Sequence, residues 1–312
     1  MNLEIIIPTW NRSEYLERTL SQFANSPFKN VKITIIDNAS SDNTPEVCDK
    51  YKDIFPNFKI IRNNKNIGLS ANILRCYEIA KEEYMWLVGD NDNYDFSDCS
   101  EVISAIEKSE FDLIFVQGND KTNLKKTTIH ELYEAGHGND IIGLMGTISA
   151  YILKTELFTS ECLQEGYDIA GYLYPQLAFM KKACDENFSA YISSKKIRIP
   201  DKNPNVSYNT LELVDGWISS TLILEKKYAN ELVKYYLGHK LLYSILGAII
   251  AVKARNLKYR KTLNHLIISL IKSKGFIIGI IYAILMLCTS LIPHKASKYI
   301  LNKYNEKNGF DE

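Results

Sequence analysis

The sequence carries no Gly-x-Gly-x-x-Gly fingerprint, no phosphate loop and no Gly-x-Ser-x-Gly elbow. The first absence argues against a nicotinamide-dependent enzyme. The other two remove the phosphate-loop and nucleophile-elbow readings. The six cysteines (Cys48, Cys76, Cys99, Cys162, Cys184 and Cys288) form no C-x-x-C pair and match no zinc spacing,. They read as scattered reduced thiols of a reducing compartment. His130, His239, His265 and His294 lack metal spacing, and His137, between Gly136 and Gly138, reads as a loop residue that a lid over a site could carry. There is no internal repeat and no low-complexity tract. The first residues, Met-Asn-Leu-Glu-Ile-Ile-Ile-Pro, lack a basic leader and a long apolar run, so a first strand and a cytoplasmic location are expected,.

Net charge is also missing, with 37 basic and 37 acidic residues, but the balance is uneven. Residues 1–120 hold 20 Asp/Glu against 12 Lys/Arg, whereas Lys253 to Lys303 hold ten Lys/Arg and no acid. An acidic head argues against nucleic acid as its partner and tolerates a divalent cation. A basic, apolar tail suits an anionic membrane surface. The 312 residues accommodate one large domain, or one domain with an appended module,.

What is present is an alternation. Leu3–Ile7, Val31–Ile36, Phe58–Ile61, Tyr84–Val88 and Asp112–Val116 are short apolar runs that read as strands,. Between them lie helical patterns. Asn11 and Glu14 suggest a capping box, with Tyr15, Leu16, Leu20 and Phe23 on one face,. Thr44-Pro45-Glu46 opens a second helix, and Leu69, Ile73, Tyr77 and Ala80 mark a third,. This alternation predicts an α/β fold whose mainly parallel sheet is covered on both faces. Beyond it, residues 119–145 read as a long loop over the site. Ile148–Leu153 and Ser189–Ile199 read as strands, Pro175–Ala183 as a helix, and the chain from about Leu211 as helical. The expected division is an α/β domain over 1–205 and a helical, basic region over 206–312.

In such a sheet ligands bind beyond the carboxyl ends of the strands. Four clusters stand there: Pro8-Thr9-Trp10-Asn11, Asp37 to Asp42, Asn66-Ile67-Gly68, and Gly89-Asp90-Asn91-Asp92. Asp90 and Asp92, two apart after a buried strand, can approach one Mg²⁺ or Mn²⁺, ions that prefer oxygen ligands and share substrate phosphates. A polar turn is the alternative reading. Asp37 can accept from ribose hydroxyls or a pyrimidine imide, or cap a turn. Asn66 and Gly68 can place backbone N–H groups near a phosphate, or make a tight turn.

In order and spacing these clusters resemble the inverting glycosyltransferase family 2, with its GT-A nucleotide-sugar fold. The matching stretches are Ile5-Ile6-Ile7-Pro8-Thr9-Trp10-Asn11-Arg12, Ile35 to Thr44, Asn63 to Asn72, and Trp86-Leu87-Val88-Gly89-Asp90-Asn91-Asp92. The resemblance is strong to about residue 120 and general beyond it. It implies that Pro8, Thr9 and Asn11 line a nucleotide pocket and that Asp37 holds base or ribose. Asn66, Gly68 and Asn72 would shape the floor near the diphosphate. Asp90-Asn91-Asp92 would be the family's Asp-x-Asp element, with Asp92 the direct ligand of Mn²⁺ or Mg²⁺ and Asp90 beside it, nearer the ribose or sugar.

The family also carries an acidic base, often Glu-Asp, before a later helix. Here Tyr172 and Leu173 occupy that place, and neither is a base at neutral pH. Asp168 is the favoured substitute, ahead of Glu165 and Glu161. The tail segment Phe276–Ile292 is 17 uncharged residues flanked by basic ones, short of the roughly 20 a membrane span needs,. It suits interfacial attachment, or packing against Leu266–Ile271. The expected partners are a nucleotide-sugar donor, a glycan or lipid-linked glycan acceptor, and the inner face of the cell membrane. The expected role is building O-antigen, capsule or a similar polysaccharide. Two rivals remain: a degenerate GT-A domain that binds without transfer, and a nucleotidyltransferase. The second lacks its glycine-rich basic loop after the first strand.

Overall fold

The computed structural model describes residues 1–117, 126–134, 141–184, 188–199, 209–237, 241–274 and 276–308. The chain divides into two compact units. One comprises Met1–Ala170 with Pro175–Pro204, the other Gly171–Tyr174 with Asn205–Glu312.

The first unit is built on an eight-stranded sheet. Its strands are β1 (Leu3–Thr9), β2 (Lys32–Asp37), β3 (Phe58–Arg62), β4 (Tyr84–Leu87), β6 (Leu113–Phe115), β7 (Lys126–Thr127), β8 (Tyr151–Lys154) and β9 (Ala190–Ile192), in the order β3-β2-β1-β4-β8-β6-β9-β7. A separate antiparallel pair joins β5 (Asn93–Tyr94) to β10 (Arg198–Ile199). The run β3-β2-β1-β4 is parallel, as the alternation predicts. β8 then enters antiparallel between β4 and β6. All seven residues of β1 are buried, which is why it reads as one apolar run,. Its one acid, Glu4, is also buried, and accepts from Thr34 Oγ1 (2.7 Å), Lys32 Nζ (3.0 Å) and Lys81 N (3.0 Å).

The strand order creates the position of the site. From β1 the chain steps outward to β2 and β3, then returns to place β4 on the other side of β1. In open α/β sheets such a reversal, here at the carboxyl ends of β1 and β4, is where ligands bind,. The register brings Thr9 beside Asp37, and Asp37 beside Arg62. Trp86 anchors β4 from beneath. Its ring meets Phe23, Phe28 and Tyr94 edge-on, at centroid distances of 5.6–5.7 Å, and its Nε1 donates to Ser149 O at 3.0 Å.

Three expectations need correction. The capping box at Asn11 and Glu14 does not form. The helix begins at Ser13, Asn11 sits in the left-handed region (φ +51°), and Ser13 N donates instead to Asp42 Oδ2 at 2.9 Å. Long-range partners for the first-turn amides outcompete the local cap. Ser189–Ile199 is two strands in two sheets, because the chain turns at 193–197 and delivers Arg198 to Tyr94. Within 119–145, the described residues include β7, a helix Ile129–Glu134 and a buried 3₁₀ turn Ile142–Gly146, so this stretch is partly packed structure. His137 with its flanking glycines lies outside the described residues.

The second unit contains the helices Thr210–Ser220, Lys226–Leu237, Leu241–Ala254, Arg260–Lys274, Phe276–Ser290 and His294–Asn308. Asn209 caps the first with a complete capping box to Glu212,. Phe276–Ser290 packs back on Arg260–Lys274. At Gly279 a Cβ would lie 2.6 Å from Ile271 Cα, so the backbones meet where only glycine fits,. Its other face is open, with Ile277 75% and Ile281 51% exposed. Among the described residues no single helix is long and apolar enough to cross a membrane. The bent pair Ile277–Ser290 and His294–Glu306, at 102°, passes that test only together.

Candidate functional site

Thr9, at the end of β1, donates its hydroxyl to Asp90 Oδ2 at 2.9 Å. Asp90, two residues past Val88, receives the Arg12 guanidinium on its other oxygen, with Nε at 3.3 Å. The backbone of the motif is held as well. Thr19 Oγ1 donates to Asp90 O (2.9 Å) and Arg18 to Asn91 O (2.7 Å). Gly89 N donates to Ser149 Oγ at 2.7 Å, in a space where a Cβ would press on Ser149 and Asp92 at 3.3–3.4 Å. A larger residue before the acids would have to displace these side chains by a few tenths of an ångström.

Asp92 is gripped from farther away. Arg198 Nε and Nη2 donate to its two oxygens, each at 2.8 Å, and Nη1 donates to Gln117 at 3.0 Å. Asp92 is buried and Arg198 nearly so, their side chains 5% and 11% exposed. This bidentate geometry is the strong form of the carboxylate–guanidinium pair.

Asp37 belongs to a second cluster. One oxygen accepts from Ser40 N at 2.9 Å, and the other pairs with Arg62, which also donates to Ser40 O at 2.6 Å. A cleft of about 320 Å³ opens beside this pair, lined in part by Cys48, Phe58 and Ile60. Next to it, Asn38 donates to Asn66 Oδ1 (2.8 Å) and accepts from Asn63 (2.8 Å) and Ile67 N (3.0 Å). Asn63 also donates to Asn72, whose amide reaches Ile36 O. Asn66 Oδ1 takes the Gly68 N–H at 2.8 Å, and Gly68 adopts φ +87° ahead of the helix Leu69–Ile79. Asn66, Gly68 and Asn72 therefore form one amide network, and the Gly68 N–H is engaged within it. Asn11 is exposed and accepts from Ser41 N at 2.7 Å, which ties the ends of β1 and β2. Pro8 is buried at the end of β1.

The fold thus gathers Pro8, Thr9, Asn11, Asp37, Asn66, Gly68, Asn72, Asp90, Asn91 and Asp92 along one edge of the sheet. Asp168 is not tied into these contacts. It is the exposed last residue of the helix Ser160–Asp168. Glu165 pairs with Lys181. Sequence reasoning passed over Arg12, Asn38, Arg62 and Arg198. The first three adjoin or lie inside stretches already singled out. Arg198 comes 106 residues after its partner, with no local signal.

The second unit has a polar cluster of its own. His265 Nδ1 lies 2.9 and 3.0 Å from the Asp215 oxygens, its Nε2 lies 3.3 Å from Tyr172 Oη, and Ser219 donates to Asp215 at 3.2 Å. Burial raises the Asp215 carboxyl, against the pull of His265.

Could these residues hold a divalent ion? Among the described residues no three His, Cys, Asp or Glu side chains converge. The protein offers Asp92 and Asp90, both oxygen donors and both buried. That set fits Mg²⁺ or Mn²⁺ completed by phosphate oxygens and water, provided the Arg198 guanidinium yields the Asp92 carboxylate.

Burial lifts the Asp90 carboxyl to about 6, against Arg12 and the Thr9 hydrogen bond, with Asp92 adding to the rise. The folded protein therefore holds this proton more tightly than the unfolded chain does. The stability it contributes is complete below about pH 4 and is lost as the pH rises to about 6. The expected loss is roughly 2–3 kcal/mol. Denaturation measured at about pH 4 and about pH 7 should show this fall in the wild type and not in Asp90→Asn. Equal slopes would assign the proton elsewhere.

The model of the family described as glycosyl transferase family 2 matches residues 4–187. An abequosyltransferase of Salmonella typhimurium is 40% identical over 96 residues, 30% of this chain and 28% of the relative. A minor teichoic acid biosynthesis protein of Bacillus subtilis is 33% identical over 70 residues, 22% of this chain and 16% of the relative. The matched stretch thus spans well under half of either curated relative. Among solved structures, residues 1–349 of TarS from S. aureus align at a TM-score of 0.61 and 14% identity, covering 97% of this chain and 92% of that one. A mannosyltransferase of Pyrobaculum calidifontis, solved with GDP-Man and Mn²⁺, aligns at 0.54 and 12% identity, covering 93% and 87%. At these identities the two likenesses show a shared fold, the GT-A arrangement of sheet and helices.

Proposed function

From the premise that this chain belongs to glycosyl transferase family 2, we propose that it transfers a sugar, with inversion, from a nucleotide donor to a surface-glycan acceptor. The observation that carries the reading is the Thr9–Asp90 contact at the switch point of the sheet, with Asp92 beside it. Asp37, in its cleft with Arg62, suits the base or ribose. Pro8, Thr9, Asn11 and Asn91 border the donor, and the amide network of Asn66, Gly68 and Asn72 forms the floor. Asp92, with Asp90, is the place for Mn²⁺ or Mg²⁺, which supplies Lewis-acid charge to the departing diphosphate when bound. Asp168 takes the proton of the acceptor hydroxyl. That oxygen forms its bond to the anomeric carbon as the carbon–oxygen bond to the nucleoside diphosphate breaks. The curated relatives named for abequosyl transfer and teichoic acid synthesis support a cell-surface glycan as acceptor. Tyr172-Leu173, in the place of the expected acids, favours the rival in which the fold binds nucleotide without transfer.

A thermal-shift series over nucleotide sugars, with and without Mn²⁺, tests the reading. One donor should stabilise the protein in a metal-dependent way, and that donor should then be consumed on adding acceptor. Stabilisation without turnover would favour the rival, and no stabilisation by any donor would remove both.

The helical unit fits peripheral attachment to an anionic membrane, suited to a lipid-linked acceptor on the inner face of the cell membrane. Ile277, Ile281, Ile284 and Leu291 are exposed, and Lys272, Lys295 and Lys298 flank them, also exposed. Vesicles of anionic phospholipid should bind the protein, more weakly as salt rises. Ile281→Asp with Ile284→Asp should weaken binding by about a hundredfold, from the lost burial of two isoleucines. Unchanged sedimentation with vesicles would sink this assignment.

A further inference from the structure

Asp92 already has a cation. Arg198 covers both of its oxygens with a planar fork, and the side chain is placed there by the β5–β10 pair, which sets Arg198 opposite Tyr94, two residues past Asp92. Together with Arg12 on Asp90, two guanidiniums face two carboxylates, and these two pairs are formally neutral, with the Arg18 guanidinium close by on Asn91 O. A divalent ion entering alone would make these two pairs doubly positive while stripping Arg198 of its partner. A nucleoside diphosphate arriving with the ion returns the sum close to neutrality. Of the five N–H groups on the guanidinium, three are engaged, two by Asp92 and one by Gln117,. Once released, the fork that matches a carboxylate also matches a phosphate.

We propose that Arg198 is the resident counter-ion of Asp92, exchanged for the metal–diphosphate pair when the donor binds. This rests on the donor-site reading above. It makes metal and nucleotide binding interdependent: the ion alone binds poorly, and each ligand strengthens the other by the same factor. Arg198 acts through Asp92 and is thus a positioning residue.

Titrating Mn²⁺ by the resonance of the free ion, alone and with each of UDP, GDP, CDP, dTDP and ADP, tests the exchange. In the wild type, Mn²⁺ alone should bind weakly, and one of the diphosphates should tighten it. Arg198→Ala should tighten the binding of Mn²⁺ alone by about tenfold or more, because the carboxylate is left open. The gain from the diphosphate should shrink by at least the same factor. Arg198→Lys, a single point charge without the fork, should fall between the two. Asp92→Asn should abolish binding in every background. If Arg198→Ala melts like the wild type but binds Mn²⁺ alone no better, the exchange is wrong. Should that variant not fold, Arg198→Lys decides by the same criterion. If the wild type takes up no Mn²⁺ with any diphosphate, the donor-site reading fails, and the exchange with it. Uptake that is indifferent to residue 198 overturns the exchange alone.

Discussion

Asp92→Ala is expected to lower sugar transfer by about a thousandfold or more, the scale of losing several kcal/mol of charge stabilisation at a leaving diphosphate. The same substitution should cost about 3–5 kcal/mol of stability. Among the described residues it leaves the largely buried Arg198 guanidinium with Gln117 alone to accept from it,. These losses have different origins and can be parted. Pairing Asp92→Ala with Arg198→Met removes both charges and should restore most of the stability, because a buried pair replaced by apolar groups is often neutral. It should restore none of the transfer. Turnover of Asp92→Ala within tenfold of the wild type would end the role given to this carboxylate. Denaturation curves of the single and double variants would decide the stability half.

The other large effect lies in the core. Trp86→Ala should destabilise the α/β unit by about 3–5 kcal/mol, the usual range for a large aromatic fully buried in a core. The indole is 0% exposed and touches three rings, from the helix Ser13–Ala24, the turn that follows it and β5. Two of those rings bear on the site. Phe23 lies on the helix Ser13–Ala24, whose Thr19 holds Asp90, and Tyr94 lies on β5, beside Arg198. Trp86→Ala should therefore loosen nucleotide binding as well, and Trp86→Phe should recover most of both. Chemical denaturation followed by circular dichroism checks the first, with the α/β transition resolved from that of the helical unit. A loss under about 1 kcal/mol would mean that Trp86 does not brace the motif.

How legible were these features? The parallel strands were, because a strand buried on both faces has little choice but to be apolar. Leu3–Ile7 and Tyr84–Val88 show it, and their boundaries moved by only one or two residues. The positions of Thr9, Asp37, Asp90 and Asp92 were legible for a related reason: they end or closely follow such strands, so the strand marks them. β8 is legible within Ile148–Leu153 and β10 at the end of Ser189–Ile199, whereas β5 and β7 are not, because two residues carry too few side chains to show a period. The cap at Asn11 failed for the opposite reason: the local pattern was good, but Asp42 and Ser41 supplied better partners from another loop. Arg198 was invisible because a salt bridge leaves no trace in spacing when its halves are 106 residues apart. Asp168 stands a few residues before the place the family's acids occupy, and its exposed place at a helix end follows from no pattern in the sequence.

The β5–β10 pair also bears on where this protein can be cut. The family model stops at residue 187, eleven residues short of Arg198. A fragment trimmed to that boundary would retain all the residues that look like the site and lose the one that neutralises Asp92. Such a fragment would carry a buried, uncompensated carboxylate at its most sensitive point, and would be a poor choice for crystallisation or donor screening. A ribosome making the chain meets the same condition: the α/β unit stays electrostatically unfinished at Asp92 until residue 198 has left the exit tunnel.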